Sequence, residues 1–409
     1  MKSIHKVTKG IYLLIGIFIL AGCATGGNHT IPAPQKAKNI IFMVPDGQGL
    51  SDVTAARIFK NGLSGDPLYQ ETLKNIGYQR TYSANSTITD SAAAASAWAM
   101  GKKFNNGEIS CHGGENGKCV DQTPSILELA RAKGKSGGLV VTSQISHATP
   151  AAFASHVFSR KCGAEIARQY IEVTGVDVIL GGGLYKTNDS CSVYPESFTP
   201  SDKRQYIVEL AKADNYTFVR DRAGLMNAAR GNNKKILGMF EQNGAGEGKT
   251  VEMFRVDPSM TYPEDEPTLA EMTAAALEIL EADNDGFFLL VEGSQIDWAN
   301  HDNLIKSQIA SSLGFDAAVK AVIDWIGKVP IRKDNTLLIV VADHETGGFA
   351  INGPRNRILK KGNIVEPGWT TGKHTAVDTI IYSEGPGSDH LNAALDNTDL
   401  FYVMKNVLQ

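Results

Sequence analysis

Short apolar runs alternate along this chain with longer segments of helical composition. Residues 38–45, through Asn-Ile-Ile-Phe-Met-Val-Pro, are apolar at nearly every position and predict a buried strand, with a helix near 51–61 after it. Residues 91–100 are rich in Ala and predict a helix, as do residues 123–133. Short strands are expected at 138–142 and 177–180. A helix over 268–282 precedes a strand at 286–291, and a long helix over 303–326 precedes the apolar run 336–342. Residues 376–382 read as the last major strand. The stretches near Gly231 and Gly244 and the segment 354–367 read as surface loops.

Strands and helices in alternation predict an α/β fold, a three-layer sandwich whose central, mostly parallel sheet is flanked by helices. Neither an internal repeat nor an interdomain linker is visible, so residues 38–409 read as a single domain.

The amino-terminal residues have a different character. Lys2, Lys6 and Lys9 precede an apolar stretch, residues 11–20, which is shorter than a membrane span and has the length of a signal-peptide core. Leu20-Ala-Gly-Cys23 then resembles a bacterial lipoprotein cleavage site. The expectation is a signal peptide over 1–22, a lipidated Cys23 that anchors the chain to an envelope membrane, and a tether over 23–37. Ala24 is not an Asp-type inner-membrane retention signal, which points to the outer membrane in a cell that has one.

Removing that segment takes three of the 40 basic residues and none of the 44 acids, moving the formal charge from −4 to −7. Acidity of this kind argues against a nucleic-acid partner, which calls for a basic patch. Cys111, Cys119, Cys162 and Cys191 remain, an even number that suggests two disulfides in an exported chain. Local pairing, Cys111–Cys119 and Cys162–Cys191, is favoured over a zinc-thiolate site because no Cys-x-x-Cys spacing exists.

Five segments carry candidate chemistry. Asp46 ends the first strand and is followed by Gly, which alone is ordinary turn chemistry. Ser91, after Asp90, opens the Ala-rich helix; by itself it reads as part of a cap, yet a hydroxyl at a helix amino end is also placed to meet a phosphate. His147, Thr149 and Arg160 form the third group, the last offering a planar fork for two phosphate oxygens. Glu292, Asp297 and His301 follow a strand, and Asp297 and His301 face one side if the segment turns helically. Asp343 and His344 stand at the end of the run 336–342, with His374 before the last strand and Trp298 able to wall the site.

These residues resemble the alkaline phosphatase family over nearly all of the mature chain. The Asp-Ser-Ala-Ala segment at Asp90, the Glu-Gly-x-x-Ile-Asp segment from Glu292 with His301 after it, and the Ala-Asp-His-Glu segment at Asp343 occur in family order. The resemblance implies that Ser91 is the nucleophile that becomes phosphoserine. It implies two zinc ions, one held by Asp46, Ser91, Asp343 and His344 and the other by Asp297, His301 and His374. A third site for magnesium is implied at Asp46, Thr149 and Glu292, with Arg160 clamping phosphate and Cys162 at a disulfide position. A homodimer and broad action on small phosphate monoesters follow from the same resemblance, with a rate that rises toward alkaline pH.

Departures from the family pattern fall at the third site and beside it. Val-Pro precedes Asp46 where a Gly is usual. His147 stands where some relatives have an Asp that holds magnesium waters, and Trp298 where some have a Lys that contacts phosphate through water. Neutral imidazole holds magnesium more weakly than carboxylate, so the third metal is the one these departures bear on. The competing expectations are a phosphodiesterase or sulfatase on the same scaffold, and a non-catalytic envelope lipoprotein that binds phosphate or zinc.

Overall fold

The computed structural model describes residues 36–114, 118–120, 123–184, 191, 197–240 and 265–408. The expected signal peptide, Cys23, most of the tether and the loop at Gly244 lie outside the described residues. No described helix is long and apolar enough to cross a membrane.

In chain order the strands are β1 (Asn39–Pro45), β2 (Asn75–Arg80), β3 (Ser136–Gln144), β4 (Val178–Gly182) and β5 (Thr217–Val219). They continue as β6 (Ile236–Met239), β7 (Phe287–Gly293), β8 (Thr336–Val341), β9 (Glu345–Thr346) and β10 (Ala350–Gly353). The last four are β11 (Glu366–Gly368), β12 (His374–Thr375), β13 (Thr379–Glu384) and β14 (Ala394–Asp396). Ten of them build one sheet in the order β14-β2-β13-β8-β1-β7-β3-β4-β6-β5. Only β13 runs against its neighbours, β2 and β8; every other pair in that sheet is parallel.

Central strands are buried at every position, which is why they read as continuous apolar runs. Successive side chains nonetheless serve opposite layers. Ile40, Phe42 and Val44 of β1 join one core with Trp98, Phe153 and Tyr170, whereas Ile41 and Met43 join a second with Leu277, Phe315 and Trp325. Helices Ser91–Met100, Ile126–Arg131 and Ala148–Ala154 cover the first face; helices Leu269–Leu280 and Ile305–Lys328 cover the second. The expected α/β sandwich is present.

Several boundaries differ from the sequence reading, each for a local reason. The helix expected over 123–133 is shortened to Ile126–Arg131 because Ser125 caps it, accepting from the Glu128 amide at 3.2 Å. The long helix begins at Ile305 because Asn303 takes a left-handed conformation (φ 55°) that separates it from helix Gln295–His301. Residues 376–378 are exposed, and the strand starts at Thr379, where pairing to Gln79 begins. Within 354–367, Leu359 and Val365 are buried against Ala55, Ile58 and Phe349, so that segment is partly core and ends in β11. The disulfides join Cys111 to Cys119 and Cys162 to Cys191.

Candidate active site

Parallel sheets expose strand carboxyl ends on one side, and the candidate residues converge there from β1, β7 and β8, three adjacent strands. Asp46 follows β1, Glu292 lies near the end of β7, and Asp343 and His344 follow β8. Gly47 makes the convergence possible. Its φ is +71°, and a Cβ there would stand 2.8 Å from the Asp297 Cα, while its amide donates to Asp343 Oδ1 at 3.1 Å.

The segment after β7 does turn helically, as helix Gln295–His301, and this carries Asp297 and His301 one turn apart. Asn300, on the same helix, donates to Asp52 Oδ1 at 3.1 Å and to the Gly47 carbonyl at 3.3 Å, tying the helix to the loop after Asp46. His374 comes from β12, which pairs with β9 directly after Asp343 and His344. Glu345 secures that pairing by accepting from the Phe349 amide at 3.0 Å and from the Thr375 hydroxyl.

Three sets of donor atoms lie within 4.8 Å of one another: Asp46 with Asp343 and His344; Asp297 with His344 and His374; Asp46 with His147 and Glu292. Asp46 and His344 therefore each belong to two sets. His301 stands beside the second set, its Nε2 3.2 Å from His374 Nε2 and 3.3 Å from Asp297 Oδ2. Thr149 is fully buried in the helix that His147 caps.

The imidazoles are oriented from behind. His374 Nδ1 donates to the Thr89 carbonyl and His301 Nδ1 to the Gly372 carbonyl, both at 2.9 Å. Thr346 gives its single proton to Asp297 Oδ1 (2.5 Å), so at 3.2 Å it must accept from His344 Nδ1. In all three rings Nε2 is left to face the cluster, the usual preparation of a metal-binding histidine.

Ser91 is the first residue of helix Ser91–Met100, and its Oγ is 3.3 Å from His344 Nε2. Asp90 caps this helix by accepting from the Ala93 amide at 2.9 Å, and its other oxygen meets Arg160 Nη1 at 3.0 Å. Arg160 Nη2 lies 3.3 Å from His147 Nε2, and the Trp298 ring stands edge-on to His147 at 6.1 Å. Asp90 reads in the sequence only as a cap; its hold on Arg160 is a tertiary contact with no local signal. The same is true of Thr346 and Asn300.

Asp46, Glu292, Asp297 and Asp343 are all buried, and no described Lys forms an ion pair with any of them. Burial, then the charges of Asp343 and Asp297, push Asp46 well above the usual carboxylate range. Glu292 is pushed up to about 7, chiefly by burial. For Asp343, burial acts upward but the charge of His344 prevails and holds it low. The hydrogen bond to Asp297 pushes His301 up to about 9, whereas burial and the charge of His344 push His374 down to about 4. Both oxygens of Asp46 and both of Glu292 lack hydrogen-bonding partners. Buried carboxylates left in this state call for cations, and the oxygen and imidazole donors fit divalent metals.

An arrangement of this kind belongs to the metal-binding phosphoryl hydrolases. A family profile described as "Alkaline phosphatase" matches residues 37–366. Alkaline phosphatase 3 of Bacillus subtilis is 32% identical, over 100% of this chain and 98% of its own length. The alkaline phosphatase of Escherichia coli is 30% identical, covering 95% of this chain and 90% of its own. Among solved structures, the alkaline phosphatase of the Antarctic bacterium TAB5 is 28% identical with a TM-score of 0.69, covering 92% of this chain and 99% of its own. A variant of that enzyme with Asp in place of a His has magnesium bound in its M3 site. The chain belongs to the alkaline phosphatase family, and its activity is the hydrolysis of phosphate monoesters.

Proposed function

We propose that turnover proceeds through a phosphoserine at Ser91, within a site that holds two zinc ions and one magnesium. The position of Ser91 carries this reading: its oxygen lies at a helix start, 3.3 Å from Nε2 of His344, the residue common to two candidate cation clusters. The cations supply positive charge to the entering and leaving oxygens and acidify a hydroxyl beside them. Asp46, Asp343 and His344 hold one zinc; Asp297, His374 and the adjacent His301 hold the other; Asp46, Glu292, Thr149 and His147 take magnesium.

Ser91 Oγ attacks phosphorus in line, and the alcohol departs with the bonding pair. Water then cleaves the phosphoserine from the vacated side, so two inversions give net retention. Arg160, held in place by Asp90, forks two of the non-bridging oxygens, and the free amides at the start of helix Ser91–Met100 add to that attraction. Trp298 and His147 wall the phosphoryl end.

Broad monoester specificity accords with a site whose named contacts all serve the phosphoryl group. Two disulfides accord with export, and a lipidated Cys23 would anchor the chain to the envelope; detergent partitioning of wild type against Cys23→Ala tests the anchor. Sedimentation tests the homodimer that the family resemblance implies.

The experiment that decides the mechanism is acid quenching during turnover of a radiolabelled monoester. Label retained on the wild-type chain and absent from Ser91→Ala supports the phosphoserine route. An unlabelled wild type that turns over at full rate sinks it.

A further inference from the structure

The Arg160 guanidinium meets Asp90 Oδ2, so its place depends on what holds Asp90. That support comes from a turn sixteen residues further along the chain. The Asn106 side chain there spans two peptide groups: its Oδ1 accepts from the Asp90 amide and its Nδ2 donates to the Ile88 carbonyl, both at 3.0 Å. Between those groups lies Thr89, whose carbonyl orients His374. One side-chain amide thus clasps the segment that leads into Ser91.

Gly107, the next residue, binds both members of the Asp90–Arg160 pair. Its amide donates to Asp90 Oδ2 at 3.0 Å, and its carbonyl accepts from the Arg160 amide at 2.8 Å. The turn has its own anchors. The Asn106 amide donates to Asn85 Oδ1 at 3.0 Å, and Glu108 accepts from the Asn105 amide at 2.8 Å and the Gly113 amide at 3.2 Å. Arg160 is therefore tied to this turn twice, by its backbone through Gly107 and by its guanidinium through Asp90. Asn106 itself is exposed, so core packing does not account for its three hydrogen bonds.

We propose that Asn106 is a positioning residue for the phosphate clamp, holding the Arg160 guanidinium to its task through Asp90. This rests on the reading of Arg160 as the group that forks two phosphate oxygens. Without the Asn106 amide, Asp90 keeps its charge but loses the bond that fixes its backbone, and the carboxylate that aims the guanidinium can shift. A planar fork that must meet two oxygens at once is sensitive to such a shift. In the sequence, Asn before Gly is ordinary turn chemistry, and nothing local marks this one.

The test is p-nitrophenyl phosphate hydrolysis by the metal-loaded full chain, with inorganic phosphate as competing inhibitor. Wild type is compared with Asn106→Ala, Asn106→Leu, Arg160→Ala and the double variant of Asn106→Ala with Arg160→Ala. Leucine keeps the branched shape of the side chain and removes both hydrogen-bonding groups. Each Asn106 variant should raise KM and the phosphate inhibition constant about 10-fold, with a smaller fall in kcat. Added to Arg160→Ala, Asn106→Ala should change the inhibition constant by less than about twofold, because the group it positions is gone. An inhibition constant within about twofold of wild type in either folded Asn106 variant, while Arg160→Ala binds phosphate weakly, overturns the role of Asn106 and leaves the clamp intact. Full additivity in the double variant overturns action through Arg160. Phosphate inhibition unchanged in Arg160→Ala overturns the clamp itself.

Discussion

Ser91 Oγ and His344 Nε2 lie 3.3 Å apart, and His344 belongs to both the Asp46–Asp343 set and the Asp297–His374 set. The two residues should therefore fail differently. Ser91→Ala removes the proposed nucleophile and leaves the three donor sets whole, so kcat should fall at least about 1000-fold with zinc content preserved. His344→Ala should lose both activity and zinc. Metal analysis beside p-nitrophenyl phosphate kinetics distinguishes the two.

Asp90 serves stability and the site through different oxygens. Asp90→Ala should cost about 1 kcal/mol of helix capping and also release Arg160. Asp90→Asn keeps a capping oxygen but removes the charge facing the guanidinium. Urea unfolding should show the alanine variant destabilised and the asparagine variant close to wild type, while KM shifts in both.

Stripping the metals should convert the site into a pH-dependent liability. Glu292, pushed up to about 7, binds a proton in the folded chain that its unfolded counterpart has already released above its ordinary value of about 4.3. Folded apoprotein thus holds more protons across that interval, and its stability should fall as pH rises from about 4.3 to 7. Melting after chelation should decline between pH 5 and 8, while the metal-loaded protein stays level. At a free metal concentration about 1000 times Kd, the two should differ by about 4 kcal/mol near neutrality.

His156 lies away from the clusters and gives an independent check. Its Nδ1 meets the Ser110 carbonyl at 2.6 Å and its Nε2 meets Glu128 at 2.9 Å; both partners only accept, so the ring carries two protons. Burial pulls its pKa down, but the bonds to Glu128 and Ser110 prevail and raise it. Its stabilisation is complete below about 6.5 and is lost as pH climbs through the raised value. The melting difference between wild type and His156→Gln should narrow from pH 6 to pH 9.

Strands buried on both faces were legible because nearly every residue in them is apolar, and candidate ligands placed directly after them were legible with them. Asp46, Asp343 and His344 are of this kind. β2 escapes such a reading because its polarity is inverted: Ile76 and Tyr78 face outward, while Gln79 is buried. Gln79 earns that position by accepting from Trp98 Nε1 at 2.8 Å and donating to the Ala342 carbonyl at 2.9 Å. Periodicity cannot register a partner hundreds of residues away. β5, β6 and β14 are too short to show a period. The sharing of His344 between two donor sets, and the bracing by Thr346, Asn300 and Asp90, depend on distances that only the folded chain defines.

The place of β1 in the sheet also bears on how the chain acquires its structure. Ile40 pairs with Phe288 on one side and Leu337 on the other, so the first of the described strands to be synthesised waits for two of the later ones before it has either sheet neighbour. Loop closure over such spans is slow, and an unpaired apolar strand is exposed to aggregation meanwhile. The donor sets share this delay, since Asp46 meets His344 only when β1 and β8 are side by side. A partly made chain has neither a stable sheet centre nor a place to keep a metal, and activity should appear in a single late step of refolding rather than in proportion to the length of chain folded.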